Sequence, residues 1–155
     1  MKPVLDVCCG AKMFYFDKHD DRVDFCDSYP REAILCDGRF FEVSPDYVCD
    51  FTALPFEDDS RSLVVFDPPH LINAGEKSYM AIKYGRLPED WTGIIAKGFA
   101  ECFRVLKPGG VLVFKWCEAQ IPLREVLACT EEKPLFGNRN PKGAGTHWLV
   151  FMKQE

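Results

Sequence analysis

The most constraining feature of this sequence is an apolar run at residues 63–66 that ends at Asp67, Pro68, Pro69 and His70. Leu-Val-Val-Phe is rich in β-branched residues and has no polar position, which is typical of a strand buried on both faces of a parallel sheet. The two prolines end the strand because they lack an N–H and fix the backbone. In open α/β sheets, ligands bind at the carboxyl ends of strands. The sequence therefore predicts a binding-site carboxylate beside a rigid carbonyl, an arrangement that can accept both hydrogens of an amino group.

The length and composition predict a single domain over residues 1–155. Hydrophobic residues make up 47% of the chain, and Pro and Gly are scattered, so no linker or disordered tail is indicated. No apolar segment approaches the roughly 20 residues that cross a membrane. The N-terminus enters a predicted strand directly, without a signal-peptide pattern. We therefore expect a cytoplasmic protein that does not associate with membranes.

The cysteines and the net charge limit the possible ligands. The eight cysteines form no C-x-x-C pair and have few histidines nearby, so we predict reduced, mostly buried thiols and no metal site. The net charge is −5, which disfavours a strong nonspecific grip on a phosphate backbone. A nucleic-acid substrate is possible, but it would require a local basic patch or a partner subunit.

The first forty residues carry the signals of a nucleotide-binding fold. A strand is predicted at 3–7, followed by a small-residue turn at 8–11 and a helix through 13–16. Such a turn offers backbone N–H groups to a ligand. A second strand at 22–27 ends in Asp27, which lies 21 positions after Asp6. An acid near that spacing binds ribose hydroxyls in Rossmann-like folds.

A β-hairpin insertion is predicted at 32–43, where a crossover helix would be usual. Two strand-like runs, 32–36 and 39–43, flank Asp37 and Gly38. Asp-Gly between strands indicates a type I′ turn, which requires positive φ at both central residues. Three roles remain open for the hairpin: covering the sheet, forming a dimer edge, or walling a ligand pocket.

The rest of the chain completes an alternating α/β pattern. A third core strand is predicted at 45–51, with Asp50 at its carboxyl end. A helix is predicted over 88–106 from its i, i+3, i+4 apolar spacing. A strand at 111–116, a helix at 122–129 and two antiparallel strands at 134–136 and 147–152 follow. Either Lys115 or Trp116 could face the site from the end of the strand at 111–116.

Two loops are candidates for substrate contact. The segment 71–91 follows the Asp67 turn and carries basic and aromatic residues; they are Lys77, Tyr79, Lys83, Tyr84, Arg86 and Trp91. It either stacks on and neutralises a nucleotide or is a lid that packs on the domain. The glycine-rich loop 138–146 carries Arg139 and Lys142, which either contact phosphate or belong to a mobile turn.

Three segments resemble a known enzyme family. Asp67-Pro68-Pro69-His70 resembles the D-P-P-[YFW] motif of the class I S-adenosylmethionine-dependent amino-methyltransferases that modify adenine N6 or cytosine N4, with histidine replacing the aromatic residue. Residues 6–13 match their D-P-F-C-G-S-G-T segment at the first, fourth and fifth positions, and Leu-Lys-Pro-Gly-Gly at 106–110 is a frequent hallmark. The resemblance covers the whole chain and implies a doubly wound, Rossmann-like sheet of seven strands.

The resemblance also implies S-adenosylmethionine as cofactor and assigns residues to it. The implied cofactor-binding residues are Asp6, Cys8, Cys9, Gly10, Lys12, Asp27, Asp50 and Phe51. Asp50 would accept from the adenine amino group of the cofactor, and Phe51 would pack on its ring. Lys12 stands where the family has a second glycine. It either pairs with the methionine carboxylate of the cofactor or is a solvated lysine at a helix start.

The implied catalytic residues are Asp67, Pro68, Pro69 and His70. The Asp67 carboxylate and the Pro68 carbonyl would hold an acceptor amino group, and His70 would stack on the acceptor or take up a proton. Adenine N6 of a nucleic acid is the favoured acceptor. The alternatives are a small molecule, a protein amide, or a non-catalytic cofactor-binding subunit, and a homodimer or partner subunit is possible.

Overall fold

The computed structural model describes residues 1–72, 85–138 and 145–155. Within these residues the strands are β1 Val4–Asp6, β2 Val23–Asp27, β3 Arg31–Ile34, β4 Phe40–Val43, β5 Tyr47–Val48, β6 Arg61–Phe66, β7 Leu106–Cys117, β8 Phe136–Gly137 and β9 Thr146–Met152. The helices are α1 Trp91–Val105 and α2 Leu123–Leu127. Seven of the strands form one sheet in the order β5-β2-β1-β6-β7-β9-β8. The predicted doubly wound sheet of seven strands is thereby confirmed.

The direction of the strands places the carboxyl ends of five parallel strands at one sheet edge. The pairs β5–β2, β2–β1, β1–β6 and β6–β7 are parallel, whereas β9 is antiparallel to both β7 and β8. The third core strand, predicted at 45–51, forms ladder pairs at two residues only. The Leu-Lys-Pro-Gly-Gly motif at 106–110, which precedes the strand predicted at 111–116, is the start of β7, and β7 follows α1 without a break.

Helix α1 supplies most of the core on one side of the sheet. Ile95, Phe99 and Cys102 are completely or almost completely buried, and the Phe99 ring lies 4.9 Å from Phe114 and 5.4 Å from Phe66. The apolar spacing therefore predicted the helix correctly, although the chain from Pro88 to residue 90 precedes its first turn.

The helix predicted through 13–16 is wrong, since residues 7–22 form a chain of turns. Lys12 has a left-handed φ of +55°, which interrupts a right-handed helix. The side chains of Asp17 and Asp20 then accept from the backbone N–H groups of His19 and Arg22. These Asx turns compete with helical hydrogen bonds.

The predicted hairpin is confirmed, but its turn is not of type I′. β3 and β4 pair antiparallel up to Ile34 opposite Phe40. In the turn only Gly38 has positive φ, at +84°, and its N–H donates to the Leu35 carbonyl at 2.9 Å. Hairpin loops longer than two residues are commonly closed in this way, by a turn with a single glycine in the left-handed conformation.

The inner face of the hairpin packs over the turn that follows β1. Leu35, Phe41 and Val43 are buried together and contact Ala11. Of the three roles left open by the sequence, this placement favours the wall of a pocket.

The cysteines are all free thiols. Cys9, Cys26 and Cys102 are buried, whereas Cys36 is exposed. No helix among the described residues has both the length and the apolar character needed to cross a membrane.

Candidate active site

A cavity of about 620 Å³ opens at the carboxyl ends of the parallel strands, with β3 as one wall. Its size lies within the range of about 300–1,000 Å³ that is common for small-molecule sites. The lining from the predicted site residues is Cys8, Cys9, Gly10, Asp27, Phe51, Asp67, Pro68, Pro69 and His70. The structure thus brings five of the eight predicted cofactor residues and all four predicted catalytic residues to one cavity.

The turn after β1 is held by two buried or half-buried carboxylates. Asp6, fully buried, accepts from the Tyr15 hydroxyl at 2.7 Å and from the Cys8 N–H at 3.2 Å. Asp27 accepts from the Gly10 N–H at 3.0 Å. Gly10 has a φ of +51°, and no atom lies within 4 Å of the place where a Cβ would stand. The backbone here is therefore open to the cavity and fits a ligand that approaches it closely.

Asp6 lies beneath the cavity floor and does not line it. Burial, with a smaller contribution from the Asp67 and Asp27 charges, raises the pKa of Asp6 to about 7, although the Tyr15 and Cys8 hydrogen bonds oppose the shift. Its hydrogen bonds with Cys8 and Tyr15 fix the turn.

Replacing Asp6 by asparagine should remove a pH dependence of stability. Because the folded-state pKa of Asp6 is raised above its usual value, the folded chain binds this proton more tightly, and stability falls as pH rises towards and through that pKa. Between pH 6 and 8 we expect the wild type to lose about 1.4 kcal/mol that D6N keeps. Urea unfolding of both proteins at the two pH values measures the difference. An equal loss in both proteins would contradict the assignment.

Lys12 and Asp50 lie outside the cavity lining. The Lys12 ammonium donates to the Lys18 carbonyl at 3.3 Å and lies 4.2 Å from the centre of the Phe25 ring. It is buried, so it is not a solvated lysine either. Asp50 is exposed and accepts from both the N–H and the hydroxyl of Thr52 at 2.8 Å. The predicted contact of Asp50 with a cofactor therefore rests on the resemblance alone, and that of Lys12 on its position in the turn.

The turn after β6, residues 67–70, forms another part of the cavity lining. Burial raises the pKa of Asp67, and the Lys115 ammonium at 3.4 Å from Oδ2 opposes that shift. Burial also lowers the pKa of His70, with Lys115 acting in the same direction. Near neutral pH the site therefore presents the Asp67–Lys115 ion pair and the uncharged imidazole of His70. Such an imidazole can accept a proton.

Sequence reasoning missed several residues that line the cavity, among them Phe14, Tyr29 and Arg31. Lys115 and Arg86, which the sequence offered as candidates, line the cavity as well. Lys115 follows Phe114, which is in register with Phe66, so it lies level with Asp67. Trp116, the alternative, is buried in the core.

The two candidate substrate loops are only partly described. Arg86 lines the cavity and Trp91 packs against the core. The remaining candidates, Lys77, Tyr79, Lys83, Tyr84, Arg139 and Lys142, lie outside the described residues.

Comparison with known proteins yields structural likeness only. No family model and no curated protein matches the sequence. Similar solved structures include the Burkholderia thailandensis 1,6-didemethyltoxoflavin-N1-methyltransferase with bound S-adenosylhomocysteine, at 16% identity and a TM-score of 0.56, covering 99% of this chain and 72% of that one. The N-methyltransferase NodS of Bradyrhizobium japonicum WM9 matches at 15% identity and a TM-score of 0.55, over 99% of this chain and 86% of that one.

A third match is a Haloferax volcanii complex of the Trm112 methyltransferase activator with a methyltransferase, at 15% identity and a TM-score of 0.54, over 98% of this chain and 82% of the matched chain. At such identities the likeness establishes the fold. The chain has the fold of class I S-adenosylmethionine-dependent methyltransferases.

Proposed function

We propose that this chain is an S-adenosylmethionine-dependent methyltransferase that acts on an amino nitrogen, with adenine N6 of a nucleic acid as the favoured acceptor. The observation that supports the proposal is that one continuous cavity contains both the open turn at Gly10 with the Asp27 carboxylate and the Asp67–His70 turn. A methyl donor and an amino acceptor can therefore be held side by side.

The residues of the cavity suit the parts of the proposed cofactor. Asp27 accepts from the N–H groups of Gly10 and Tyr29 on separate oxygens, and each oxygen keeps a further lone pair for a ribose hydroxyl. The half-buried Phe51 ring offers an apolar face to the adenine. When bound, the cofactor supplies an electrophilic methyl group on a sulfonium sulfur. Asp6 and the Gly10 backbone shape the turn around it.

Replacing Asp27 by alanine should weaken cofactor binding by about 10- to 100-fold, because hydrogen bonds to a charged group contribute roughly 1.5–3 kcal/mol. Calorimetric titration with S-adenosylmethionine measures the affinity. Asp21→Ala, which removes the same charge at an exposed position, is the control and should bind as the wild type does. Equal affinity of D27A and D21A would contradict the assignment of Asp27.

The acceptor chemistry proposed here depends on positioning. An exocyclic amino nitrogen is a poor nucleophile because its lone pair is delocalised into the ring. Acceptance of its two N–H groups by the Asp67 carboxylate and the Pro68 carbonyl favours a tetrahedral nitrogen whose lone pair points at the methyl group. That lone pair forms the new N–C bond, while the electrons of the broken S–C bond stay on sulfur. Uncharged His70 takes up the proton that the nitrogen releases.

A small-molecule acceptor is the second candidate function. The net charge of −5 disfavours nucleic acid, and one structural neighbour carries a small heterocyclic acceptor in its name. A nucleic-acid acceptor in a duplex would also have to be flipped out of the stack. A partner subunit or a second copy of the chain would then supply basic surface; one neighbour was solved in complex with an activator subunit. Two further alternatives are a protein amide as the acceptor and a non-catalytic subunit that only binds the cofactor.

Retention on immobilised DNA and RNA at increasing salt distinguishes the acceptor classes. Retention that weakens steeply with salt is expected for a nucleic-acid substrate. Digestion of the methylated polymer to nucleosides then identifies the nitrogen, and N6-methyladenosine or its deoxy form is the expected product. Passage of the protein through both columns at low salt would favour the small-molecule acceptor.

A further inference from the structure

We propose that Lys115 is a positioning residue for methyl transfer, which holds the Asp67 carboxylate charged and directs one of its oxygens at the acceptor. The inference rests on the proposed function and deepens it. The sequence motif of the resembled family contains no such lysine. The proposal comes from the geometry at the end of β7.

The register of the sheet fixes where Lys115 lies. Phe66 and Phe114 are partners across the parallel pair β6–β7, so Asp67, the first residue after β6, lies beside Lys115 in β7. Their side chains meet with Nζ 3.4 Å from Oδ2. Both are mostly buried, with side-chain exposures of 22% for Asp67 and 25% for Lys115. Lys115 is therefore a half-buried cation in the cavity wall.

Two aromatic rings hold the Lys115 ammonium in place. Its Nζ lies 5.4 Å from the centre of the Phe14 ring and 5.5 Å from that of Trp148. Trp148 is the partner of Lys115 across the antiparallel pair β7–β9, and the Phe14 ring packs edge-on against it at 5.2 Å. Cations are attracted to such ring faces. Three separate segments of the chain thus converge on one ammonium group.

The charges around Asp67 explain why such a cation is needed. Burial raises the pKa of Asp67, and a second carboxylate, that of Asp27, lines the same cavity. His70 in the same turn is a weak base whose pKa is itself lowered. Arg86 and Arg31 also line the cavity, but Lys115 is the cation in contact with the Asp67 carboxylate. It favours the charged carboxylate that an amino group requires as acceptor.

The contact also orients the carboxylate. Lys115 occupies Oδ2, and Oδ1 has no hydrogen-bond donor among the described residues. Oδ1 is thereby the oxygen that accepts from the acceptor amino group. A carboxylate that rotated freely would meet the acceptor with either oxygen and in many orientations, and small misplacements of reacting groups lower rates by as much as roughly 100-fold.

The test compares Lys115→Met, Lys115→Arg and Lys97→Met. Methionine keeps an apolar stem on the two rings but removes the charge, whereas arginine keeps the charge. Lys97 is exposed on α1, so K97M matches the change in net charge at a remote place. The readout is the pH titration of the Asp67 carboxyl carbon by NMR in ¹³C-aspartate-labelled protein, with the resonance assigned through Asp67→Asn.

We expect the Asp67 titration midpoint to move to higher pH in K115M and to stay near the wild-type value in K115R and K97M. Methyl transfer by K115M should fall by about 100-fold, and the acid limb of its pH profile should move upward with the titration. An Asp67 midpoint that is the same in K115M and K97M would overturn the inference. The titration requires neither cofactor nor acceptor, so its outcome is independent of whether the proposed function holds.

Discussion

Methyl transfer should fall by about 100- to 1,000-fold when Asp67 is replaced by alanine, while S-adenosylmethionine still binds. The expected loss matches that seen when one preorganised group at a reacting centre is removed. Asp67 lies at the acceptor end of the cavity, across from Gly10 and Asp27, which carry the proposed cofactor contacts. The prediction is therefore a loss of rate without a loss of cofactor affinity, measured as turnover and by calorimetry on the same preparation.

Asp67→Asn is the matched control for packing. Asparagine has nearly the same volume but replaces one carboxylate oxygen with a donor, which cannot accept the acceptor N–H. It should therefore lose activity almost as D67A does, with a fold as stable as that of the wild type. Wild-type turnover in either variant would remove Asp67 from the mechanism.

Gly98→Ala should destabilise the fold by about 1–3 kcal/mol through overpacking. A Cβ at Gly98 would lie 2.6 Å from the Phe66 ring and 2.8 Å from the Phe51 ring. Neither ring can yield easily, since Phe66 is completely buried and packs edge-on against Phe51. Because Phe51 also lines the cavity, G98A should weaken S-adenosylmethionine binding as well. Urea unfolding and calorimetry measure the two effects.

Gly93→Ala on the same helix is the control for helix propensity. Nothing lies within 4 Å of a Cβ at Gly93, so alanine there should raise stability by about 0.5–1 kcal/mol. Similar stability changes for G98A and G93A would show that α1 does not contact the rings as closely as described.

Much of the fold follows from local patterns in the sequence. The apolar runs that form β6, β7 and β9, and the helical spacing of α1, are long enough for their periodicity to be unambiguous. The hairpin was predicted from Asp37-Gly38, although the glycine alone takes the left-handed conformation. The helix at 13–16 was predicted because it follows a strand and a small-residue turn, but the left-handed Lys12 and the following Asx turns prevent it. Local hydrogen bonds there override apolar content.

The site was predicted only in part, because some of its residues are recognisable from their own segment and others are brought in by pairing between strands. Acids at strand ends, such as Asp27 and Asp67, are found from their sequence neighbours because a strand end is visible locally. Phe14 becomes part of the site only through packing against Trp148, and the register with β6 decides that Lys115 rather than Trp116 faces the site. Such contacts join residues far apart in the chain, so no single segment predicts them. Conversely, Lys12 and Asp50 lie in or beside the turns predicted to bind the cofactor, but their side chains form hydrogen bonds with Lys18 and Thr52.

Transfer of labelled methyl from S-adenosylmethionine to unmethylated DNA, total RNA, protein and small-molecule fractions tests the central claim most directly, with wild type beside D67A. We predict label in one nucleic-acid pool with the wild type and almost none with D67A. Label in a small-molecule fraction alone would keep the enzyme and replace the acceptor. A wild-type protein that neither binds S-adenosylmethionine nor labels any fraction would contradict the account.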